Sequence, residues 1–270
     1  MARLAVSIVV HRSPLPVLKR TLACLHRAGE QALRQGLIRA VEVTVVDNAS
    51  GADYLAQLAA LLRPWGKTVR LLAGRTNLGY GRGHNRVATL AVDYRLVLNP
   101  DVFLAPDALV QVLTFLRDNP DIGVVVPRAC DGQGGHLYLC KRYPGVFTLL
   151  LRGFAPPRLQ RRFRHLLAAY EMRDLDWNRV RTDLELVSGC CLLLRGSVWE
   201  RIGGFDPGYF LYFEDFDLAL RARQVTRLAY LPRFTITHLG GHAARKGWRH
   251  RWWFVRSAWR FYRRHGWRWV

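Results

Sequence analysis

The segment Val41-Glu-Val-Thr-Val-Val-Asp-Asn-Ala-Ser50 is an apolar run that gives way to polar residues at Asp47. The same change occurs where Leu96-Val-Leu98 runs into Asn99-Pro-Asp101, and where Phe210-Leu-Tyr-Phe213 runs into Glu214-Asp215. Ligands of an open α/β sheet bind outside the carboxyl ends of its strands. We therefore expect the acids that follow these runs to gather at one ligand site.

Strands and helices alternate around these segments. Short apolar runs predict strands, and apolar residues at helical spacing predict helices. The predicted strands are 7–10, 41–46, 69–73, 95–98 and 124–126, and the predicted helices are 15–34, 54–62, 84–92 and 106–118. Such alternation is typical of an α/β fold with a Rossmann-like, mostly parallel sheet flanked by helices.

The alternation breaks off after residue 140, where prolines and a basic run at 158–165 predict an inserted loop and helix segment. The later predicted elements are a strand at 185–195 interrupted by Ser188-Gly189, helices at 198–202 and 215–223, and strands at 227–231 and 235–237. We predict one domain over residues 1–242, with an insertion at about 141–185, followed by a tail over 243–270.

The chain has 270 residues, a net charge of +21 and 50% hydrophobic residues. This hydrophobic fraction argues against disorder, and no apolar run reaches the length of about 18 residues that a membrane-spanning helix needs. The apolar run 4–10 is too short for a signal-peptide core, so we expect it to be the first strand. An odd number of cysteines, five, without a secretory signal predicts reduced thiols in the cytoplasm.

Positive charge is concentrated in the tail. From Arg245 onwards the chain has Lys246, eight arginines and six of the nine tryptophans, but no Asp or Glu. Arginine together with tryptophan is the composition of a surface that enters a lipid headgroup layer. We predict a basic, aromatic helix that docks on the domain and on the anionic cytoplasmic face of a membrane. A helix over 257–265 that only packs on the sheet is the alternative.

Four polar motifs are candidates for ligand binding. Asp47-Asn48 can be an end-of-strand turn or a ligand contact, and the glycine-rich loop 77–84 can be a tight turn or a phosphate cradle. Asn99-Pro-Asp101 is more specific, because a carboxylate at a strand end can bind Mg²⁺ or Mn²⁺ together with substrate phosphates. His238 follows the last predicted strand and can reach a metal or a phosphate. The other histidines are expected to be solvent-exposed or locally hydrogen-bonded.

Three acids lie within the four residues Glu214-Asp215-Phe216-Asp217. Repulsion between neighbouring carboxylates raises at least one pKa and can create a general base. An acidic first turn, favoured by the helix dipole, is the alternative. Because Asp217 faces about 200° away from Asp215 on a helix, the two cannot share one task. We expect Asp217 to pair with Arg221 at i, i+4 instead.

Taken in order, these motifs resemble those of the family 2 glycosyltransferases, which have the GT-A fold, and most of all their bacterial rhamnosyltransferase members. The matching strings are Ser7-Ile-Val-Val10, Val45-Val-Asp-Asn-Ala-Ser50, Asn77-Leu-Gly-Tyr80, Leu98-Asn-Pro-Asp-Val102, Ser188-Gly-Cys-Cys191, Gly203-Gly-Phe-Asp206, Phe213-Glu-Asp-Phe-Asp-Leu218 and His238-Leu-Gly-Gly241. Two positions depart from the family pattern. His11-Arg-Ser13 replaces the frequent Thr-Tyr-Asn, and Asn99 replaces the first Asp of a full DxD motif.

The resemblance implies a role for each motif. Asp47 would recognise a pyrimidine base, Asp101 would hold Mg²⁺ or Mn²⁺ on the diphosphate, and His238 would contribute to the same metal or phosphate site. Asp215 would take the proton from the acceptor hydroxyl, with Glu214 as the next candidate. The remaining candidates for binding the nucleotide-sugar are Asn48, Asn77, Gly79 and Asn99.

The reaction implied by the resemblance is an inverting single displacement, which needs one base and no covalent sugar–enzyme intermediate. The donor would be dTDP-rhamnose, or otherwise another dTDP- or UDP-sugar, and the acceptor a cell-surface glycan linked to polyprenyl diphosphate. Such an enzyme would be peripheral on the cytoplasmic face of the membrane and would not bind nucleic acid.

Two other functions remain open from the residues alone. A nucleic-acid-binding protein would explain the basic charge, but acids at three strand ends would repel nucleic acid. A sugar nucleotidyltransferase should carry a glycine-rich basic loop directly after the first strand, and His11-Arg-Ser-Pro14 has no glycine. The sequence therefore favours the glycosyltransferase.

Overall fold

The computed structural model describes residues 2–87, 91–182, 184–240 and 247–269. Its strands are β1 (Ala2–Val10), β2 (Ile38–Asp47), β3 (Val69–Ala73), β4 (Tyr94–Leu98), β5 (Val102–Leu104), β6 (Ile122–Cys130), β7 (His136–Leu137), β8 (Cys140–Lys141), β9 (Leu186–Val187), β10 (Cys191–Arg195) and β11 (Arg227–His238). Its helices are α1 (Leu15–Arg34), α2 (Ala52–Leu62), α3 (Tyr80–Asn85), α4 (Ala108–Asp118), α5 (Val146–Phe154), α6 (Pro157–Arg162), α7 (Arg164–Tyr170), α8 (Gly196–Ile202), α9 (Glu214–Arg223) and α10 (Trp248–His265). A 3-10 helix over Arg63–Thr68 precedes β3.

Nine of the described strands form one mixed sheet in the order β3-β2-β1-β4-β10-β6-β11-β5, with β7 paired to β6. Strands β3, β2, β1 and β4 run parallel to one another, and β6 is parallel to β11. Strand β10 lies between β4 and β6 and is antiparallel to both. The predicted mostly parallel sheet flanked by helices is therefore confirmed, while β8 and β9 form a separate small sheet.

Both faces of the central sheet are covered, which explains why its strands are apolar at consecutive positions. On β4, Leu96 packs in a core that also contains Leu22 of α1. The next residue, Val97, packs in a second core that contains Leu218 of α9. The helices that pack on the two faces therefore fix the position of the sheet edge at which the candidate site lies.

The helix predicted at 84–92 is placed differently. Helix α3 spans Tyr80–Asn85, and residues 88–90 lie outside the described part of the chain. The glycine-rich loop forms this helix because its glycines allow close packing. A Cβ on Gly83 would lie only 2.8 Å from the Val9 side chain. This contact joins residues far apart in sequence, so the local pattern does not reveal it.

The strands predicted at 227–231 and 235–237 are one strand, β11, whose register against β6 shifts between Leu231 and Thr235. A bulge disturbs the alternation of side chains while the strand continues. The prediction of two strands was therefore wrong. The helix predicted at 106–118 starts later, at Ala108.

Residues 141–185, predicted to be an insertion, contain helices α5, α6 and α7. Helices α5, α7, α9 and α10 share a third hydrophobic cluster. Its buried members are Leu149, Tyr170, Tyr209, Phe213, Phe261 and Tyr262. The insertion and the tail helix thus pack together against the helix that carries the Glu-Asp pair.

Helix α10 is also bound by two acids of the domain. Asp206 accepts hydrogen bonds from Arg260, at 2.9 Å, and from Arg264. His265 Nε2 lies 2.8 Å from Asp217 Oδ1. The boundary predicted at residue 242 falls within residues 241–246, outside the described part of the chain. None of the described helices has the length and apolar character needed to cross a membrane.

Candidate active site

An open cleft of about 240 Å³ lies at the sheet edge where β1 and β4 end, and its lining includes Tyr80, Asn99 and Asp101. The Asn99 N–H donates to the Cys190 carbonyl at 2.8 Å. Gly189, which precedes Cys190 in the chain, donates its N–H to Asp215 Oδ2 at 2.9 Å. One turn, residues 189–190, therefore connects the cleft to the acids at the start of α9.

Asp47 ends β2 and is only 1% exposed. Its two carboxylate oxygens share one donor among the described residues, the Ser50 N–H, at 3.3 Å from each. The carboxylate therefore retains lone pairs for another donor. Arg86 lies beside the same turn, because a Cβ on Gly74 would be 2.8 Å from the Asp47 carbonyl oxygen and 3.1 Å from Arg86 Nη1. That Nη1 is buried without a hydrogen-bond partner in the described chain.

Asn48 holds the loop that precedes α3. Its Nδ2 donates to Asn77 Oδ1 and to the Gly79 carbonyl, both at 2.9 Å, and its Oδ1 accepts from the Leu78 N–H at 2.9 Å. Gly79 has φ +84°, and a Cβ there would lie 2.0 Å from the Phe210 carbonyl oxygen. The side chains of Asn48 and Asn77 thus brace the loop, and glycine is required at its tip.

Asp101 and His238 lie side by side, with His238 Nε2 at 3.4 Å from Asp101 Oδ1. Although burial opposes protonation, hydrogen bonds and charge attraction to Asp101 and Cys190 raise the pKa of His238 to about 10. Gly240 leaves the space beside the pair open, because a Cβ there would lie 2.5 Å from His238 Nε2. Asp101 lines the cleft, and a carboxylate with a neighbouring imidazole can hold a divalent cation once the imidazole has lost its proton.

The described residues contain no group of three or more His, Cys, Asp or Glu side chains that could hold a metal ion. Asp101 and His238 are two such side chains, so a cation beside them would need further ligands from phosphate oxygens and water, which is the way Mg²⁺ is often bound. Asn99 adds an acceptor nearby, because its Oδ1 is buried and has no partner among the described residues. Asn99 and Asp101 line the cleft and are available to a ligand there, and His238 contacts Asp101.

The acids at the start of α9 follow two residues in the left-handed region, Tyr212 (φ 71°) and Phe213 (φ 65°). Such backbone costs about 1–3 kcal/mol per residue and clusters at functional sites. Glu214 is buried, and its Oε2 has no partner in the described chain. Asp215 is partly exposed and accepts from the N–H groups of Gly189 and Phe216, both at 2.9 Å.

These environments affect the pKa values of the two carboxyl groups differently. Burial, followed by the charge of Asp215, raises the pKa of Glu214 to about 8. Burial also raises the pKa of Asp215, but two backbone N–H groups oppose that shift. Glu214 therefore holds a proton at neutral pH, while the two backbone N–H groups favour the charged form of Asp215. The pKa increase predicted from neighbouring acids is confirmed in direction, although burial is its larger cause.

Two residues of this region were missed as site candidates in the sequence. The Tyr80 hydroxyl donates to the Gly189 carbonyl at 2.6 Å, and its ring lines the cleft. Gly189 approaches Asp215 closely, since a Cβ there would lie 3.0 Å from the Asp215 Cβ. Both belong to motifs of the family resemblance, which was the available signal.

Two further predictions concern side chains outside the cleft. The expectation that the remaining histidines are exposed or locally bonded is wrong for His84, which is 1% exposed and lies 2.7 Å from Ser7 Oγ, far away in sequence. Burial lowers the pKa of His84 to about 3. The predicted pairing of Asp217 with Arg221 is confirmed, at 2.7 Å.

Comparison with known proteins identifies the family. The model for Glycosyl transferase family 2 matches residues 6–200. The chain is 31% identical over 249 residues to N-acetylglucosaminyl-diphospho-decaprenol L-rhamnosyltransferase of Mycobacterium tuberculosis strain H37Rv, covering 87% of this chain and 76% of that protein. It is 28% identical over 204 residues to Rhamnosyltransferase WbbL of Escherichia coli K12, covering 67% and 70%.

Solved structures agree on the fold. The crystal structure of GalNAc-T7 with UDP, GalNAc and Mn²⁺ matches with a TM-score of 0.62 at 16% identity, over 88% of this chain and 43% of that one. S. aureus TarS, residues 1–349, matches with a TM-score of 0.57 at 13% identity, over 87% and 60%. The present chain thus spans less than two thirds of either solved chain. It has the GT-A fold, and it belongs to glycosyl transferase family 2, whose members are glycosyltransferases.

Proposed function

We propose that this glycosyltransferase transfers L-rhamnose from dTDP-rhamnose, with inversion, to a cell-surface glycan linked to polyprenyl diphosphate. The observation that carries the reaction type is the pair Glu214–Asp215, in which the Asp215 carboxyl accepts a hydrogen bond from Gly189, in the turn that borders the cleft. The sugar and the acceptor are supported by the likeness to a mycobacterial L-rhamnosyltransferase that acts on N-acetylglucosaminyl-diphospho-decaprenol.

The nucleotide lies along the sheet edge in this proposal. Asp47 accepts a hydrogen bond from N3–H of thymine or uracil, and the unpartnered Nη1 of Arg86 donates to a ring carbonyl. Asn48 and Asn77 keep the adjacent loop in place through hydrogen bonds with the carbonyl and the N–H of Gly79, so that the loop borders the donor. Replacement of Asn48 or Asn77 therefore weakens donor binding, although neither side chain contacts the donor directly in this proposal.

The diphosphate lies beside Asn99, Asp101 and His238. Asp101 and His238 would hold Mg²⁺ or Mn²⁺ there, and the bound cation would neutralise charge on the leaving diphosphate. His238 must give up its proton to serve as a ligand, because a protonated imidazole has no free lone pair. Asn99 Oδ1 accepts a hydrogen bond from a donor hydroxyl or from a water at this site.

Asp215 acts as the general base. It takes the proton of the acceptor hydroxyl while the acceptor oxygen bonds to the anomeric carbon. The bond from that carbon to the diphosphate oxygen breaks on the opposite face, so the anomeric configuration inverts. Glu214 remains protonated and keeps a second negative charge away from the approaching diphosphate. The hydrogen bonds from Gly189 and Phe216 fix the orientation of the base.

The acceptor and the tail together suggest where the enzyme acts. A glycan linked to polyprenyl diphosphate is held at a bilayer, and α10 exposes tryptophans and arginines on the side that faces away from the domain. We therefore propose a peripheral enzyme on the cytoplasmic face of the membrane, bound there through the tail. Nucleic acid is not a partner in this proposal.

Calorimetry with dTDP and UDP, each with Mg²⁺ or Mn²⁺, tests the donor site. We expect metal-dependent dTDP binding by the wild type and its loss in Asp47→Ala and Asp101→Ala. Asp118→Ala, an exposed acid at the end of α4, is the matched control and should bind normally. No binding of either nucleotide by folded wild type would refute the proposal. Product analysis by NMR with dTDP-rhamnose then tests the sugar and the inversion.

A further inference from the structure

Helices α5 and α6 expose apolar and basic side chains next to one another. Phe147, Leu150 and Phe154 are spaced i, i+3 and i+7, so they lie on one side of α5, and Leu150 and Phe154 are 52% and 48% exposed. Leu159 of α6 is exposed as well. The exposed arginines of these two helices and the residues after them are Arg152, Arg158, Arg161, Arg162 and Arg164. We name this set of side chains the insertion surface.

The insertion surface lies beside the end of the tail. The Val146 N–H donates to the Arg268 carbonyl at 2.8 Å, and the Phe147 N–H donates to the Trp269 carbonyl at 3.1 Å. Trp269 is 70% exposed at this junction. The start of α5 and the last described residues of the chain therefore form one continuous surface, although more than a hundred residues separate them in sequence.

Helix α10, like α5, exposes a row of large apolar side chains along one side. Trp248, Trp252, Val255 and Trp259 are all exposed, and at about 100° per residue they lie on one side of the helix. The opposite side is packed on the domain, where Ser257 and Phe261 are buried. The insertion surface and the tail thus share one composition, in which large apolar side chains alternate with arginines.

The chemistry of this composition favours an anionic bilayer as the partner. Residues 142–170 contain six arginines and no acid, and the tail from Arg245 onwards has no acid either. A second copy of the chain would set arginine against arginine without a counter-charge. Nucleic acid would pair with the arginines and stack on the tryptophans, but it gives Leu150 and Leu159 no apolar contact. Acyl chains and anionic headgroups satisfy both kinds of side chain.

We propose that the insertion surface is a second membrane-binding element, which binds an anionic bilayer together with the tail. This inference rests on the proposed function, because a lipid-linked acceptor requires the acid pair to lie near the bilayer. The packing agrees with such an arrangement, since Leu149 of α5 and Phe261 of α10 share a cluster with Phe213, which directly precedes Glu214. Both membrane-binding elements therefore pack on the turn that presents the base.

Co-sedimentation with vesicles tests the inference on the full chain. The probe is vesicles of phosphatidylglycerol and phosphatidylethanolamine, with phosphatidylcholine vesicles as the neutral comparison. We expect the double variant Leu150→Ser/Phe154→Ser to lower the partition coefficient on anionic vesicles by about tenfold or more. The matched control, Leu33→Ser/Val180→Ser, removes two side chains that are 38% and 44% exposed elsewhere, and should bind like the wild type.

A charge-reversal variant, Arg158→Glu/Arg161→Glu/Arg162→Glu, should also lose binding to anionic vesicles, and far-UV circular dichroism reports whether each variant is folded. Wild-type partition by the serine double variant would overturn the inference, as would equal binding to neutral vesicles. Retention on nucleic acid but not on vesicles, or dimerisation that the serine variant abolishes, would overturn it as well. Vesicle binding needs neither donor nor acceptor. Failure of dTDP binding by the wild type would therefore count against the proposed function, separately from this surface.

Discussion

Replacement of Glu214 by Gln keeps the shape of the side chain and removes its ability to ionise. Glu214 is buried, and its Oε2 has no hydrogen-bond partner in the described chain. Burial and the charge of Asp215 raise the pKa of Glu214 from 4.5 to about 8 in the folded protein. Between these values the folded state binds more protons than the unfolded state. This contribution to stability is therefore full below pH 4.5 and is lost as the pH rises to about 8.

The size of the loss follows from the two pKa values. One pKa unit corresponds to about 1.36 kcal/mol, so the shift from 4.5 to about 8 lowers the stability of the wild type by up to about 5 kcal/mol at pH 8. The Gln variant does not ionise and avoids this loss. We expect Glu214→Gln to match the wild type near pH 4.5 and to be more stable than the wild type by several kcal/mol near pH 8.

Urea unfolding followed by tryptophan fluorescence at these two pH values measures the difference. Titrating groups other than Asp215 affect both proteins alike, so the comparison between variant and wild type isolates the Glu214–Asp215 pair. Asp118→Asn removes an exposed carboxylate from the end of α4 and is the matched control, with little change expected at either pH. The reasoning is refuted if the stability difference between Glu214→Gln and the wild type is the same at both pH values.

Three further changes test the site and its supports. Asp215→Asn should lower turnover by about 10²–10⁴-fold while dTDP binding by calorimetry is retained, and near-normal turnover would assign the base to another residue. Asp217→Ala removes a buried carboxylate and leaves the partly buried side chains of Arg221 and His265 without their partner, so it should cost about 3–5 kcal/mol in urea unfolding, whereas a loss under about 1 kcal/mol would mean that the pair is effectively solvated. Gly79→Ala places a Cβ 2.0 Å from the Phe210 carbonyl oxygen and should cost about 1–3 kcal/mol and weaken dTDP binding. Gly36→Ala has a similar φ, +67°, with open space around the new Cβ, so equal effects of the two glycine variants would contradict the clash.

The alternation of strands and helices up to residue 126 was predictable because each element has its own spacing of apolar residues. The position of β10 was not predictable in this way. Its sequence indicates a buried strand, but its direction and its place between β4 and β6 depend on pairing with residues far away in the chain. The bulge in β11 and the early start of α3 were missed for the same reason, since both result from tertiary contacts.

The residues of the candidate site likewise fall into those that the sequence indicates and those that only the folded structure shows. Asp47, Asp101 and Asp215 stand out in the sequence because each follows an apolar run, and the sheet then brings two of these runs to one edge. Tyr80 and Arg86 carry no comparable signal. Their relevance comes from the backbone groups beside them, which become neighbours only when the chain has folded.

Helix α9 connects the site to the tail through two acids of its first turn. Asp215 is bonded to Gly189, beside the cleft, and Asp217, which is fully buried, is bonded to Arg221 and to His265 of α10. Side chains two positions apart on a helix point in roughly opposite directions, at about 200°. One turn of helix therefore carries the candidate base on one side and the anchor of the tail on the other. A displacement of α10 strains the Asp217 contacts of this same turn, so the position of the tail and the orientation of the base are not independent.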